Sequence, residues 1–349
     1  MGIIISIMNN NLELLQVVGD DFECGQQVGV AHRDLLTELL EMVKESDTSL
    51  WDEEVREALC YLPATQCYFP YLVDQLRGIA VGSGQKFETI FALAVEEEPN
   101  GTHDPNHCTD IVSVKGSPII FHNNDNRYPN MIRAVEWKSS RGTTLTVGLG
   151  PFACVGVSQK PDGTCLALSG NDLSANDEKS TGVTRWVLAR AILEASDLSE
   201  AVRLATHPER ASSYHNVIAD ENSVVCLEGS ATDCRQIMAN NDFIVHANAY
   251  IHPEMKIFEN QDDTISSQAR LARGQRMCMQ VQRDMPLVSQ MLMLLKDHGE
   301  DGIPSENTIC RHGKVGTVFS SIIDMGEKTV SVALGNPCKN EYQVIWRFN

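Results

Sequence analysis

Cys108 opens the run Cys108-Thr109-Asp110-Ile111-Val112-Ser113-Val114, directly after an acidic, turn-rich stretch from Glu96 to His107. A thiol attacks a carbonyl only as the thiolate, so it needs a base. If the chain broke before Cys108, a new α-amino group with a pKa of about 8 would lie beside the thiol. That amine would take the thiol proton and later hand it to a leaving amine, so one residue would supply both nucleophile and base. The cut itself would begin with the thiol attacking the carbonyl of His107, at a strained peptide between His107 and Cys108. Further on, His122-Asn123-Asn124-Asp125 places a carboxylate and two amides at the end of the next apolar run. A carboxylate there would hold an ammonium or align a substrate. Asn248, in Val245-His246-Ala247-Asn248, has an amide N–H to offer an oxyanion, a contact worth about 3–4 kcal/mol per good donor.

The same residues have plainer readings. A cysteine at a strand start is commonly core packing, Asp125 an ordinary turn residue and Asn248 a strand-end cap. A second nucleophilic arrangement would pair Cys108 with His122 or His246 as base and would act in an intact chain. His103, Asp104, His107, Cys108, Asp110 and His122 include the donor types of a zinc site. Their segment is a Pro-broken loop rather than a helix that would bring His103 and His107 together, and no metal is expected. A non-catalytic binding protein would use Arg311 and Lys314 for an acidic ligand.

These side chains must be positioned by a chain of 349 residues with 42% hydrophobic and 21% charged content, that of a globular protein with a sizeable core. Residues 12–18 read as a strand, followed by helices over 22–45, from about Asp52 to a stop near Pro63, and over 71–95 with an interruption at Gly82-Ser83-Gly84. The polar loop before Cys108 then gives way to strand, a Lys115-Gly116-Ser117-Pro118 turn, and strand. Strands at 144–147 and 165–168 precede a helix over 183–195 and a second one capped by Asp197-Leu198-Ser199-Glu200. A hairpin over 215–228, a strand at 243–247, helices at 266–283 and 287–297, and three closing strands complete the chain. The order predicts layered α+β with antiparallel hairpins and no βαβ repeat.

The net charge of −19 argues against nucleic-acid and membrane partners. Eleven cysteines without a CxxC pair point to a reducing, cytoplasmic setting. Met1-Gly2-Ile3-Ile4-Ile5-Ser6 fits the loose myristoylation pattern, but no polybasic segment follows, and a short first strand is the plainer reading. Asn100-Gly101-Thr102 matches a glycosylation tripeptide that is common by chance.

Across almost its full length the sequence resembles the acyl-coenzyme A:isopenicillin N acyltransferase family, and it is similar to the insect N-β-alanyl-amine hydrolases of that family. The stretches that carry the resemblance follow in family order. They are Gly19-Asp20-Asp21-Phe22-Glu23-Cys24-Gly25 with Gly29, Leu76-Arg77-Gly78-Ile79-Ala80-Val81-Gly82-Ser83-Gly84, and His107-Cys108-Thr109-Asp110. Asn123-Asn124-Asp125, Ser180-Thr181-Gly182-Val183-Thr184 and Leu227-Glu228-Gly229-Ser230 come next. Val245-His246-Ala247-Asn248 and the hairpin from Gly316 to Cys338 close the series.

The resemblance implies a four-layer αββα N-terminal-nucleophile (Ntn) hydrolase sandwich of antiparallel sheets, preceded by a mainly helical segment. It implies self-cleavage at His107–Cys108 into residues 1–107 and 108–349, which together remain one domain with the N-terminal segment as α subunit. Cys108 is then the nucleophile, Asp125 binds substrate and Asn248 is catalytic, with Asn124, Ser230 and Arg311 as further substrate-binding candidates. The expected activity is amide hydrolysis or acyl transfer on a small acylated amine, without a cofactor but with acyl-coenzyme A as a conceivable acyl donor. Two positions depart from the family. His107 stands where glycine is frequent. Val315, with Lys314 beside it, stands where the penicillin enzyme has an arginine for the penicillin nucleus, so a simpler acyl-amine is expected.

Overall fold

The computed structural model describes residues 4–7, 12–46, 51–95, 107–260, 264–282 and 284–349. The loop that precedes His107, Asn100-Gly101-Thr102 and the Met1-Gly2 start lie outside them. The chain opens with strands β1 (Ile4–Ile7) and β2 (Glu13–Val18). Helices α1 (Asp21–Ala31), α2 (Arg33–Ser46), α3 (Trp51–Ala58), α4 (Leu62–Tyr68), α5 (Pro70–Ser83) and α6 (Phe87–Ala94) follow. Next come β3 (His107–Ser113), β4 (Ile119–Asn126), β5 (Ile132–Ser139), β6 (Gly142–Leu149), β7 (Phe152–Gln159) and β8 (Cys165–Asp172). Helices α7 (Arg185–Glu194) and α8 (Leu198–Ala205) lead to β9 (Tyr214–Ala219), β10 (Val224–Gly229), β11 (Cys234–Ile237) and β12 (Phe243–His246). Helices α9 (Ile265–Met279) and α10 (Leu287–Leu295) then precede β13 (Gly316–Asp324), β14 (Thr329–Leu334) and β15 (Gln343–Arg347).

Two compact units share this chain. The first draws on residues 1–103, 131–165 and 177–212. Its strands run β1-β2-β5-β6-β7. All neighbours are antiparallel except β2 and β5, which pair in parallel from Leu14↔Ala134 to Val18↔Lys138. The parallel pair is the exception in an otherwise antiparallel arrangement; parallel neighbours need a long crossover, and helices α1–α6 and the β3–β4 hairpin lie between these two strands. Across the pair, the Gln16 side-chain amide donates to the Glu136 carboxylate.

In the same unit, α1 starts with a capping box in which Asp20 accepts from the Glu23 backbone and Glu23 accepts from the Asp20 backbone. Helices α1 and α5 cross at four glycines. A Cβ on Gly25 would lie 2.0 Å from the Gln75 carbonyl oxygen, and one on Gly78 would lie 2.1 Å from that of Phe22. Gly29 and Gly82 are equally closed, at 2.2 Å and 2.1 Å from Ile79 and Gln26 oxygens. The two helices therefore touch backbone to backbone. The expected single helix over 22–45 is broken at His32, whose φ of −106° and ψ of 23° leave the helical region. Pro63 does not end the second helical stretch either. It sits in the first turn of α4, where its missing N–H has no helical partner to lose.

The second unit draws on residues 104–130, 166–176 and 213–349. It holds the strand run β8-β9-β10-β11 and the six-stranded sheet β12-β3-β4-β13-β14-β15, antiparallel throughout. Helices α9 and α10 cover one face of the six-stranded sheet, burying Ile111, Phe121, Val245, Leu294, Leu295 and Ile322 together. The opposite face meets strands β8–β11 through polar groups: Ser169 Oγ donates to Asp110 Oδ1 at 2.8 Å, and the Asn171 amide donates to the Ala247 carbonyl at 3.1 Å. Within this unit the layers are thus helix, sheet, sheet. The chain as a whole is α+β with two antiparallel-rich sheets and a helical N-terminal part. Among the described residues no helix is long and apolar enough to cross a membrane.

Candidate active site

Strand register builds the site. In β3, side chains alternate between faces, so Cys108 and Asp110 point one way and Thr109 and Ile111 the other. Cys108 pairs with Asn124 of β4, and directly paired residues share a face. The Asn124 side-chain amide accordingly reaches the Cys108 Sγ at 3.5 Å. On the other edge β12 pairs with β3 through His246↔Asp110. Two residues further on, Asn248 falls opposite Cys108, and its Oδ1 accepts the Cys108 backbone N–H at 2.9 Å.

Asn248 differs here from the sequence expectation. Its oxygen, not its amide N–H, faces Cys108. The orientation is fixed by its partners, because Oδ1 also accepts from Arg270 Nη2 at 3.0 Å while Nδ2 donates to the Asp172 carbonyl at 3.0 Å. Turning the amide over would set donors against donors. The Asn248 backbone N–H is held in turn by Ser267 Oγ at 2.9 Å.

Arg270, on α9, was not singled out by sequence reasoning. It is fully buried. Its Nη1 donates to the Cys108 carbonyl oxygen and, at 2.8 Å, to Thr109 Oγ1. One guanidinium thus grips Cys108 and Asn248 together. Burial lowers its pKa to about 10, against the opposing pull of Asp125.

Asp125 lies opposite His107 on one side and Thr317 on the other. Thr317 Oγ1 donates to its Oδ1 at 2.7 Å, while Oδ2 is buried with no hydrogen-bond partner. Burial pushes the Asp125 carboxyl up to about 6, although Arg270, the Thr317 hydrogen bond and Arg311 pull it down. Burial, followed by the nearby carboxylates of Asp125 and Asp172, holds the Cys108 thiol well above a free cysteine. The backbone N–H of Asp125 favours the thiolate but offsets only part of this. The intact chain therefore keeps Cys108 as a neutral thiol with an acceptor on its backbone nitrogen.

Arg311 is buried beside this group, and its Nε and Nη1 have no hydrogen-bond partner. It is close enough to act on Asp125 and Cys108 electrostatically. The structure thus brings Cys108, Asn124, Asp125, Asn248 and Arg311 together. Ser230 instead serves the turn between β10 and β11, where its Oγ accepts from the Thr232 and Asp233 backbone N–H groups at 3.2 and 3.0 Å. His107 is the first residue of β3.

The two histidines considered as bases are engaged elsewhere. His122 Nδ1 lies 2.9 Å from Asp110 Oδ1, and His246 Nε2 lies 2.8 Å from Glu228 Oε1. His215 stacks on His246 with ring centroids 3.7 Å apart. Burial would raise Asp110, but His122 and His215 hold it well below the usual carboxylate range. This is a buried polar core beneath the site, and the Cys108 thiol bonds to neither histidine.

The family model for acyl-coenzyme A:6-aminopenicillanic acid acyl-transferase matches residues 115–339. That span contains Asn124, Asp125, Asn248, Arg270 and Arg311, and begins after Cys108. A comparison with curated proteins finds no match. Among solved structures, an N-acylethanolamine-hydrolyzing acid amidase ortholog from Caenorhabditis elegans is similar at 17% identity. It covers 63% of this chain and 93% of its own, with a TM-score of 0.42. A variant of the conjugated bile acid hydrolase from Clostridium perfringens is similar at 11% identity over 69% of this chain and 97% of its own, with a TM-score of 0.46.

Proposed function

The chain belongs to the acyl-coenzyme A:6-aminopenicillanic acid acyl-transferase family, an enzyme family, and from that premise we propose that it cuts itself before Cys108 and uses the freed residue as an N-terminal nucleophile on small acylated amines. In the first event the Cys108 thiol adds to the His107 carbonyl carbon and the His107–Cys108 C–N bond breaks. The thiol proton passes to the departing nitrogen, leaving His107 as a thioester. Water hydrolyses that thioester to the His107 carboxylate, the Cys108 thiol and a free α-amine. In turnover the amine takes the thiol proton, and the thiolate forms an acyl-thioester as the substrate C–N bond breaks. The protonated amine returns its proton to the leaving amine. Water or a second amine then releases the acyl group, and acyl-coenzyme A would enter as acyl donor through the same thioester.

The observation that carries this reading is the hydrogen bond from the Cys108 nitrogen to Asn248 Oδ1. It grips the atom that would become the amine, and so would aim that amine at its own thiol. Asn124, with its amide at the sulfur, would face the developing oxyanion. Arg311, with two unpaired nitrogens, suits an oxygen of the acyl or amine portion. The N-terminal segment stays as the α subunit. Nucleic acid and membranes are no part of the reading, because the chain carries a net charge of −19. Among the described residues ten cysteines are unpaired, two of them exposed, which suits a cytoplasmic location.

Mass spectrometry of denatured protein tests it. Two fragments meeting at His107/Cys108, absent in Cys108→Ala, are expected, together with release of amine from N-acyl-amines by the cut form. A single full-length species that still hydrolyses N-acyl-amines would overturn self-processing and favour a thiol acting in the intact chain.

A further inference from the structure

Away from Cys108, four side chains converge in the second unit. They are His298 beyond α10, Cys310 and His312 before β13, and Cys338 after β14. One donor atom from each lies within 4.8 Å of the other three. His312 Nε2 is 3.2 Å from His298 Nε2, 3.4 Å from Cys338 Sγ and 3.5 Å from Cys310 Sγ.

Hydrogen bonding does not account for this approach. A neutral imidazole nitrogen offers either one N–H or one lone pair, so Nε2 can serve one of these three neighbours, not all of them. A cation at their centre serves all four. A tetrahedral zinc with bonds of about 2.1 Å to nitrogen and about 2.3 Å to sulfur spaces its donors about 3.4 Å apart for N–N and about 3.6 Å for N–S. The three distances measured from His312 lie within about 0.2 Å of those edges.

We propose that His298, Cys310, His312 and Cys338 bind one zinc ion per chain. Two thiolates and two imidazoles are a donor set that selects zinc in tetrahedral geometry. Binding converts both thiols to thiolates, releases two protons and leaves the site neutral. Four protein ligands leave no open position, so the ion is structural. Its placement gives it a further consequence. Arg311 lies between two of the ligands, and its carbonyl is already gripped by Asn336 Nδ2 at 2.7 Å and by the Thr317 N–H at 3.0 Å. The ion would tie that segment to His298 and to the end of the β13–β14 hairpin, holding Arg311 beside Asp125. The spacing hid the set, because His298 lies 14 residues before His312 and Cys338 lies 26 after it.

The test is elemental analysis of the full-length chain, purified with reduced thiols and without chelator. One zinc per chain is expected in the wild type and none in Cys338→Ser. Reconstitution with cobalt should give the intense visible bands of tetrahedral thiolate coordination, absent from the variant. If Cys338→Ser does not fold, titrating wild-type thiols with an organomercurial beside a colorimetric zinc indicator should release one zinc per chain. The proposal is overturned if the wild type carries no stoichiometric zinc and takes up none from a zinc-buffered solution. Zinc retained in a folded Cys338→Ser, copper in its place, or a Cys310–Cys338 disulfide in the purified chain would each overturn it as well.

Discussion

The side-chain oxygen of Asn248 accepts the backbone N–H of Cys108 at 2.9 Å, across 140 residues of sequence. Replacing Asn248 with alanine leaves two buried donors, the Cys108 N–H and Arg270 Nη2, without this acceptor. The expected cost is about 1–3 kcal/mol in urea unfolding. The fraction of chain cut before Cys108 should fall, read as the fragment ratio under denaturing conditions. Asn248→Asp keeps the acceptor for the Cys108 N–H and for Arg270, at the expense of the donor to the Asp172 carbonyl and with an added buried charge that Arg270 faces, so it should cut more completely than Asn248→Ala. Equal cutting in the two variants would refute the role of the oxygen.

Arg270 is the buried cation that answers Asp125. Arg270→Met should destabilise the chain by about 3–5 kcal/mol, the range for removing one partner of a buried charge cluster. Arg270→Lys keeps a charge but cannot reach Cys108, Thr109 and Asn248 at once, so it should fold and still process slowly. A lysine variant that matched the wild type in both would show that charge alone suffices.

Asp125 gives a pH signature. Its carboxyl titrates at about 6 in the fold against an ordinary 3.8. Between those values the unfolded chain has lost this proton and the folded chain keeps it. The stability it contributes is therefore complete below about pH 4, declines as pH rises to about 6 and is then flat, by about 3 kcal/mol in all. Asp125→Asn removes the effect. Wild-type minus variant unfolding free energy should fall between pH 4 and 6, and a difference that stays level or rises would rule out a raised Asp125.

The glycine crossing of α1 and α5 makes a different prediction. Gly78→Ala gains helix propensity of about 1 kcal/mol but drives its Cβ onto the Phe22 carbonyl. A net loss of about 1–3 kcal/mol is expected from overpacking. Val81→Ala, on the exposed face of the same helix, should stay within about 0.5 kcal/mol of wild type. If Gly78→Ala is neutral, the two helices are not in backbone contact.

Cys108, Asp125 and Asn248 were legible because each sits at a strand end within an ordered series of short motifs. Gly25, Gly29, Gly78 and Gly82 belonged to the same motifs, but only the crossing shows why a side chain would not fit there. Arg270 was invisible. An arginine on a helix ordinarily faces solvent, and nothing local marks one that turns inward to bind a backbone carbonyl 162 residues away. Strand β5 escaped for a related reason. Ala134, Val135, Glu136 and Trp137 are all buried, so the alternation that announces a half-exposed strand is missing. His298, Cys310, His312 and Cys338 are brought together by the hairpin and the α10 exit, a relation that lies in topology rather than spacing.

The parallel ladder between β2 and β5 joins strands on opposite sides of the proposed cut. A chain severed before Cys108 would be covalently two polypeptides yet mechanically one, because parting them means tearing open a sheet at its interior. Gel filtration would show no change on maturation, and only denaturant would reveal the break. Nor would the halves be interchangeable pieces. Made separately, each would present an unpaired strand with no partner to close it, so the protein has to be born as a single chain before it can work as two.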